Sequence, residues 1–157
     1  MIEETSAGIV IFRKEESKKL FLLLHYPSGH WDFVKGKMEK GETTQQTAIR
    51  ETKEETGITI SRKQIIGQLK PVTTLDSGFT ILPFVCILNE INELTPNSEV
   101  EEFLKIPLVS FLQTLTNDLD PEHNSIHEMY VLTFENNIIW GASARMLKQI
   151  AEKINKP

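Results

Sequence analysis

The sequence predicts an α/β or α+β layered domain. Short apolar segments with strand character recur along the chain, about three segments carry helical signals, and no internal repeat or low-complexity tract separates them. The segments "SAGIVIF" and "KLFLLLHY" flank the polar stretch "RKEESK" and predict a β-hairpin. "HWDFVKGKMEKGE" runs from a short strand into a loop punctuated by Gly36 and Gly41. "TTQQTAIRETKEET" predicts a helix, because Thr43 followed by Gln46 is a capping-box signature and Gly57 is a stop signal. Beyond it, "ITISRKQIIGQLKPVTTL" predicts one or two strands, "FTILPFVCILN" a buried strand and "EINELTPNSEVEE" a polar, acidic loop. "FLKIPLVSFLQTL" is expected to start extended and turn helical after Pro107, a residue suited to the first helical position. "LDPEHNSIHEMY" carries no clear pattern. "GASARMLKQIAEKI" closes the chain with a predicted helix, since Met146, Ile150 and Ile154, with Leu147 and Ala151, share one face.

At 157 residues the chain has length for one domain with a sizeable core, expected to span 1–157. Its 39% apolar and 25% charged residues match soluble globular proteins, and no apolar run approaches a membrane span. The opening "MIEETSAG" lacks the basic region of a secretory signal. The single cysteine, Cys86, excludes an internal disulfide, fits a reducing cytoplasm and lies in an apolar run expected to be core. A net charge of -5, from 17 basic and 22 acidic side chains, argues against a grip on nucleic-acid backbone. A small phosphate-bearing substrate is compatible with that charge if cations bridge it to the acids.

The end of the first predicted helix, "RETKEETG", poses a physical problem. The helix dipole is negative there, yet Glu51, Glu54 and Glu55 crowd it, and Glu51 stands at i,i+3 and i,i+4 from the other two, where like charges repel. At about 100° per residue, Ala48, Ile49 and Thr52 form a thin apolar stripe and the three glutamates fall on the adjoining arc, with Arg50 beside Glu54. The ordinary alternative is a solvated charged face. Lys53 is the only lysine among these acids, however, and a hard divalent cation would offset both penalties, since Mg²⁺ is commonly held by one or two carboxylates plus substrate phosphates. The preceding loop, with Gly36 and Gly41 and with Lys35, Lys37 and Lys40, is suited to holding phosphates.

Gly36, Glu42 and the run Arg50-Glu51-Thr52-Lys53-Glu54-Glu55-Thr56-Gly57-Ile58 together resemble the Nudix box. Every fixed position is met. Thr52 stands where the family usually places an aliphatic residue, a departure that bears on packing rather than chemistry. The resemblance implies an α/β/α sandwich with a mixed β-sheet and hydrolysis, with Mg²⁺ or Mn²⁺, of a diphosphate linked to another moiety, usually a nucleoside. By position it implies Glu51, Glu54 and Glu55 as metal ligands, with the Gly36 carbonyl in some members. Arg50 would orient a glutamate, and Glu42 would support the loop or an outer-sphere water. A later acid commonly joins such sites, and Glu99, then Glu102, occupies the corresponding stretch "SEVEEFLKIPL". Glu51 or Glu54 is placed ahead of Glu99 as general base.

"HWDFVKGK" is similar to the "W..PKG" segment of dinucleoside-polyphosphate hydrolases, with Val34 in place of the proline. In that comparison Lys35 lies near the polyphosphate and Trp31 or Phe33 offers a face for a base. Lys37 adds charge from the same loop, and His30 is a candidate contact to phosphate or base, with a surface-loop histidine as the alternative. Core packing is the alternative for Trp31 and Phe33. "IIWGASARML" resembles a segment that opens the last helix in several Nudix groups, including coenzyme A pyrophosphatases, but the arginine-containing motif of that group is missing before the box. Diadenosine tetraphosphate or a similar substrate is therefore favoured over coenzyme A, nucleotide sugars or nucleoside triphosphates. A non-catalytic nucleotide sensor is the alternative of a different class, although every box glutamate is retained. His123 and His127 have a zinc-compatible spacing with no further ligand pattern behind it. Monomer and homodimer both remain compatible with the sequence.

Overall fold

The structure is a computed structural model and describes residues 5–15, 18–26, 31–74, 79–91, 94–98, 100–123 and 129–154. The hairpin forms as expected from β1 (Thr5–Glu15) and β2 (Lys18–His25), followed by the short strands β3 (Trp31–Asp32) and β4 (Val34–Lys37). Helix α1 spans Thr44–Thr56 and leads to β5 (Ile65–Gln68), β6 (Val72–Thr73) and the long β7 (Thr80–Leu88). Strand β8 (Glu102–Pro107), α2 (Leu108–Leu112), β9 (Thr116–Asn117), β10 (Tyr130–Phe134), β11 (Asn137–Trp140) and α3 (Gly141–Ile154) complete the order. Pro107 ends β8 and occupies the N-cap of α2, one position earlier than expected, because its carbonyl side is still paired opposite Leu20.

The main sheet runs β3-β2-β1-β7-β5, with β4 added to β1, β6 to β7 and β8 to β2. It is mixed. Strands β1 and β7 are parallel from Thr5 opposite Thr80 to Arg13 opposite Leu88, while β1 pairs antiparallel with β2 and with β4. Strands β9, β10 and β11 form a second, three-stranded sheet.

Alternation along β1 builds two cores, one on each face. Ala7, Ile9 and Ile11 join Phe84, Cys86, Leu88 and Ala48 of α1. Val10 and Phe12 join Phe21, Phe33 and Phe111 and the inner face of α3, namely Ala144, Met146, Leu147 and Ile150. Helices thus cover both faces of the sheet, the α/β/α layering that the Nudix resemblance implies. No described helix is long and apolar enough to cross a membrane.

The capping box at Thr43 and Gln46 is present, and Gly57 closes α1 with a left-handed φ of 81°. Cys86 is fully buried, as its apolar run predicts, and burial pushes its thiol up to about 12. The thiol is expected to resist an aromatic disulfide reagent in the native state at neutral pH and to label fully after denaturation, as followed by thiolate absorbance.

Candidate functional site

Between β4 and α1 the chain turns at Gly41, and the Glu39 amide donates to Glu42 Oε1 at 2.8 Å. This brings Glu42 against the outer face of α1, where it meets Arg50. Arg50 Nε donates to Glu42 Oε2 at 2.7 Å and Nη2 to Glu42 Oε1 at 3.0 Å, a two-point contact. The same guanidinium reaches Glu51 Oε1 at 2.9 Å, Glu54 Oε2 at 3.2 Å and the Lys37 carbonyl at 2.9 Å. Arg50 therefore ties the loop, the end of β4 and two of the three helix acids to one planar group. The hydrogen bond from Arg50 is the foremost reason that the Glu42 carboxyl drops to about 2. Contact with Glu42, then Glu51, holds the Arg50 guanidinium above its ordinary range.

The three box glutamates do not share one exposed edge, contrary to the helical projection. Glu54 is half open, its side chain 52% exposed, whereas that of Glu51 is 13% exposed. Glu55 is 2% exposed and accepts a hydrogen bond from the Tyr26 hydroxyl at 3.0 Å. Ala48, Thr52 and Glu55 lie at i, i+4 and i+7, so Glu55 falls on the core-facing stripe itself. Gly36 is required next to Glu51, because a Cβ there would lie 2.0 Å from the carboxylate carbon of Glu51. The glutamate head rests directly on the β4 backbone.

Among the described residues no three acidic, histidine or cysteine side chains converge as a ready-made metal cluster. The carboxylates that do meet, Glu51 and Glu54, offer oxygen donors of the kind a hard divalent ion takes, with the Gly36 backbone beside Glu51. Glu55, by contrast, is buried under the Tyr26 hydroxyl. The close seat of Glu51 on Gly36 sets one carboxylate beside that backbone, and Arg50 holds Glu51 and Glu54 to a single guanidinium nitrogen.

Glu99 and His30 lie outside the described residues. The chain on either side of Glu99 is tied to the site, with the Thr95 amide donating to the Thr56 carbonyl at the end of α1 and the Glu101 amide to the His25 carbonyl, each at 2.8 Å. Glu101 also pairs with His25 at 3.3 Å, and Glu102 is exposed on β8. Lys35 lies beside the site, with its ammonium donating to Asp32, whose carboxylate also takes the Phe33 amide and the Ser143 hydroxyl. Lys37 is exposed and places its ammonium 5.1 Å from the ring centroid of Phe79. Trp31 is buried against the His25 ring, with centroids 4.5 Å apart, and Phe33 is core. Tyr26, Asp32 and Phe79 carry no sequence signal that separates them from ordinary loop and strand residues.

The NUDIX domain family model matches residues 3–130. The chain belongs to the Nudix hydrolase family. Members of this family generally use divalent metal ions. A Nudix relative from Pectobacterium atrosepticum, named "Uncharacterized Nudix hydrolase NudL", is 32% identical over 113 residues, 70% of this chain and 58% of that protein. The asymmetrical bis(5'-nucleosyl)-tetraphosphatase of Caenorhabditis elegans is 54% identical over 56 residues, 34% of this chain and 41% of that enzyme. The chain thus spans about half the length of these relatives. The crystal structure of a C. elegans Ap4A hydrolase binary complex superposes with a TM-score of 0.60 at 30% identity, covering 70% of this chain and 84% of that one. This Nudix likeness matches the mixed sheet flanked by helices described above.

The depressed Glu42 carboxyl links stability to pH. The unfolded chain takes up this proton first, so the contribution of Glu42 is fully present above its ordinary 4.5 and is lost as pH falls through about 2. Glu42→Gln is expected to flatten the decline of Tm across that window relative to wild type, measured by circular-dichroism melts at stepped pH.

Proposed function

We propose that this Nudix chain is a single catalytic domain over 1–157 that hydrolyses a diphosphate linkage in a nucleoside-diphosphate-linked substrate. An asymmetric dinucleoside polyphosphate such as diadenosine tetraphosphate is the favoured substrate. The observation that carries the reading is the Arg50 centre, which holds Glu51 and Glu54 together beside the Gly36 backbone. The 54% identity with the C. elegans tetraphosphatase over 56 residues supports the choice of substrate. A lone buried thiol is compatible with action in the cytoplasm.

In this reading Glu51, Glu54 and Glu55, with the Gly36 carbonyl and Glu99, would hold Mg²⁺ or Mn²⁺, which would supply Lewis-acid neutralisation of the diphosphate and a lowered pKa for water. Glu54 is the more open of the two candidate bases and accepts the proton of the attacking water, with Glu51 seated more tightly on β4. As the water oxygen bonds to phosphorus, the bond to the bridging oxygen breaks and its electrons leave with the departing phosphate. In this reading Lys37, whose ammonium lies over Phe79, contacts the substrate phosphates, and Lys35 exchanges its bond to Asp32 for one of them. Trp31 is taken up by core packing against His25, which leaves His30 as the proposed contact for the moiety beyond the phosphates.

Mass spectrometry of products from diadenosine tetraphosphate with Mg²⁺ tests the substrate, with ATP plus AMP expected. Turnover of coenzyme A without activity on the tetraphosphate would replace the substrate, and binding without metal-dependent turnover of any nucleotide would favour a sensor. Glu54→Gln is expected to lower kcat by about a hundredfold or more. Gly36→Ala is expected to displace the Glu51 head and lower kcat by roughly a hundredfold, with Tm close to wild type.

A further inference from the structure

Among the described residues Arg145 meets no anion that would account for its charge. It is half-buried on α3, and one terminal nitrogen donates to the Thr73 carbonyl of β6. Its Nε is buried without a hydrogen-bond partner, and it makes no ion pair with any described residue. Burial holds its guanidinium below the ordinary range. A charge withdrawn from water without a counter-ion is costly, and the planar fork of arginine matches phosphate and carboxylate. The orientation is fixed one turn further along α3, where Gln149 accepts from the Lys70 amide at 2.8 Å and donates to the Lys70 carbonyl at 3.1 Å.

The sheet register relates Arg145, on the α3 face, to the end of β4, whose Lys37 carbonyl Arg50 holds from the α1 face. Lys37 of β4 stands opposite Ser6 of β1, Ser6 opposite Ile81 of β7, and Ile81 opposite Val72 of β6. Three strand spacings, roughly 14 Å, therefore separate the Lys37 backbone, held by Arg50, from the strand whose next residue holds Arg145. Phe79 lies along this line, under the Lys37 ammonium.

We propose that Arg145 binds an anionic group, phosphate or carboxylate, on the part of the substrate remote from the bond cleaved at α1, and so selects substrates that carry one. The location of the reacting end rests on the function proposed above, whereas the anion site rests on Arg145 alone. Substrates that place a phosphate run across Lys37 and Phe79 satisfy this guanidinium, and substrates with a neutral remote end leave it bare.

The test is equilibrium binding and thermal melting in chelator, where neither turnover nor the metal is involved. Tripolyphosphate and ATP are expected to raise the Tm of the wild type, and adenosine is not. Arg145→Met should melt at or above the wild-type temperature without ligand, because an unpaired buried charge is removed, and should lose the anion-induced rise. Its Kd for ATP should weaken by about tenfold or more, with partial recovery in Arg145→Lys. An unchanged ATP Kd in either variant, an equal response to adenosine, or no wild-type response to tripolyphosphate would overturn the assignment. Loss of hydrolysis with this anion dependence intact would instead count against the catalytic reading alone.

Discussion

Three carboxylates and a backbone carbonyl converge on the guanidinium of Arg50, and most of the site geometry follows from that convergence. Glu42 arrives from the loop, Glu51 and Glu54 from the helix, and the carbonyl of Lys37 from the end of β4. A lysine would not serve, since a point charge on a flexible stem lacks the five fixed donors that reach four groups in one plane. The negative end of the α1 dipole and the like charges at i,i+3 work against this helix terminus. Arg50 offsets part of both and at the same time fixes the spacing between β4 and α1. Glu42 is therefore more than a loop support, because its two-point contact keeps the guanidinium turned toward the helix acids.

The glutamates that look equivalent in sequence occupy three different environments. Glu51 is wedged onto Gly36, Glu54 is open to solvent, and Glu55 is buried under the Tyr26 hydroxyl. Identical side chains so placed differ in mobility and access, and a reaction at this edge would draw on them differently. The open carboxylate has room to exchange a proton, while the wedged and buried ones keep their positions. Tyr26 thus packs with the box in space and fixes Glu55, although it lies far from it in the chain.

Much of this was legible from the sequence wherever the signal was local. The capping box at Thr43, the glycine stop at Gly57, the β1–β2 hairpin and the apolar face of α3 are written in contiguous residues, and each forms as expected. The burial of Glu55 was present in the spacing with Ala48 and Thr52, but it was masked by the expectation that a carboxylate faces water. Contacts that join distant segments left no trace. Asp32 receives Lys35 from three residues away and Ser143 from the last helix, and only the packed fold unites them. Of "LDPEHNSIHEMY", which carries no sequence pattern, the structure describes a short 3₁₀ turn at Pro121–His123 and the start of β10 at Tyr130, and His127 lies outside the described residues.

Arg50 and Arg145 show why a guanidinium must be judged by its partners rather than its position. Arg50 is surrounded by protein carboxylates, so its charge is spent inside the fold and its removal would loosen the loop and the helix together. Arg145 has a single carbonyl and a buried, unpartnered Nε. Such a charge is costly to bury, because among the described residues no protein anion matches its desolvation. An anion would offset that cost, and in the proposed reading the two arginines divide the labour: Arg50 builds the acidic edge from within the fold, and Arg145 serves the remote end of the substrate.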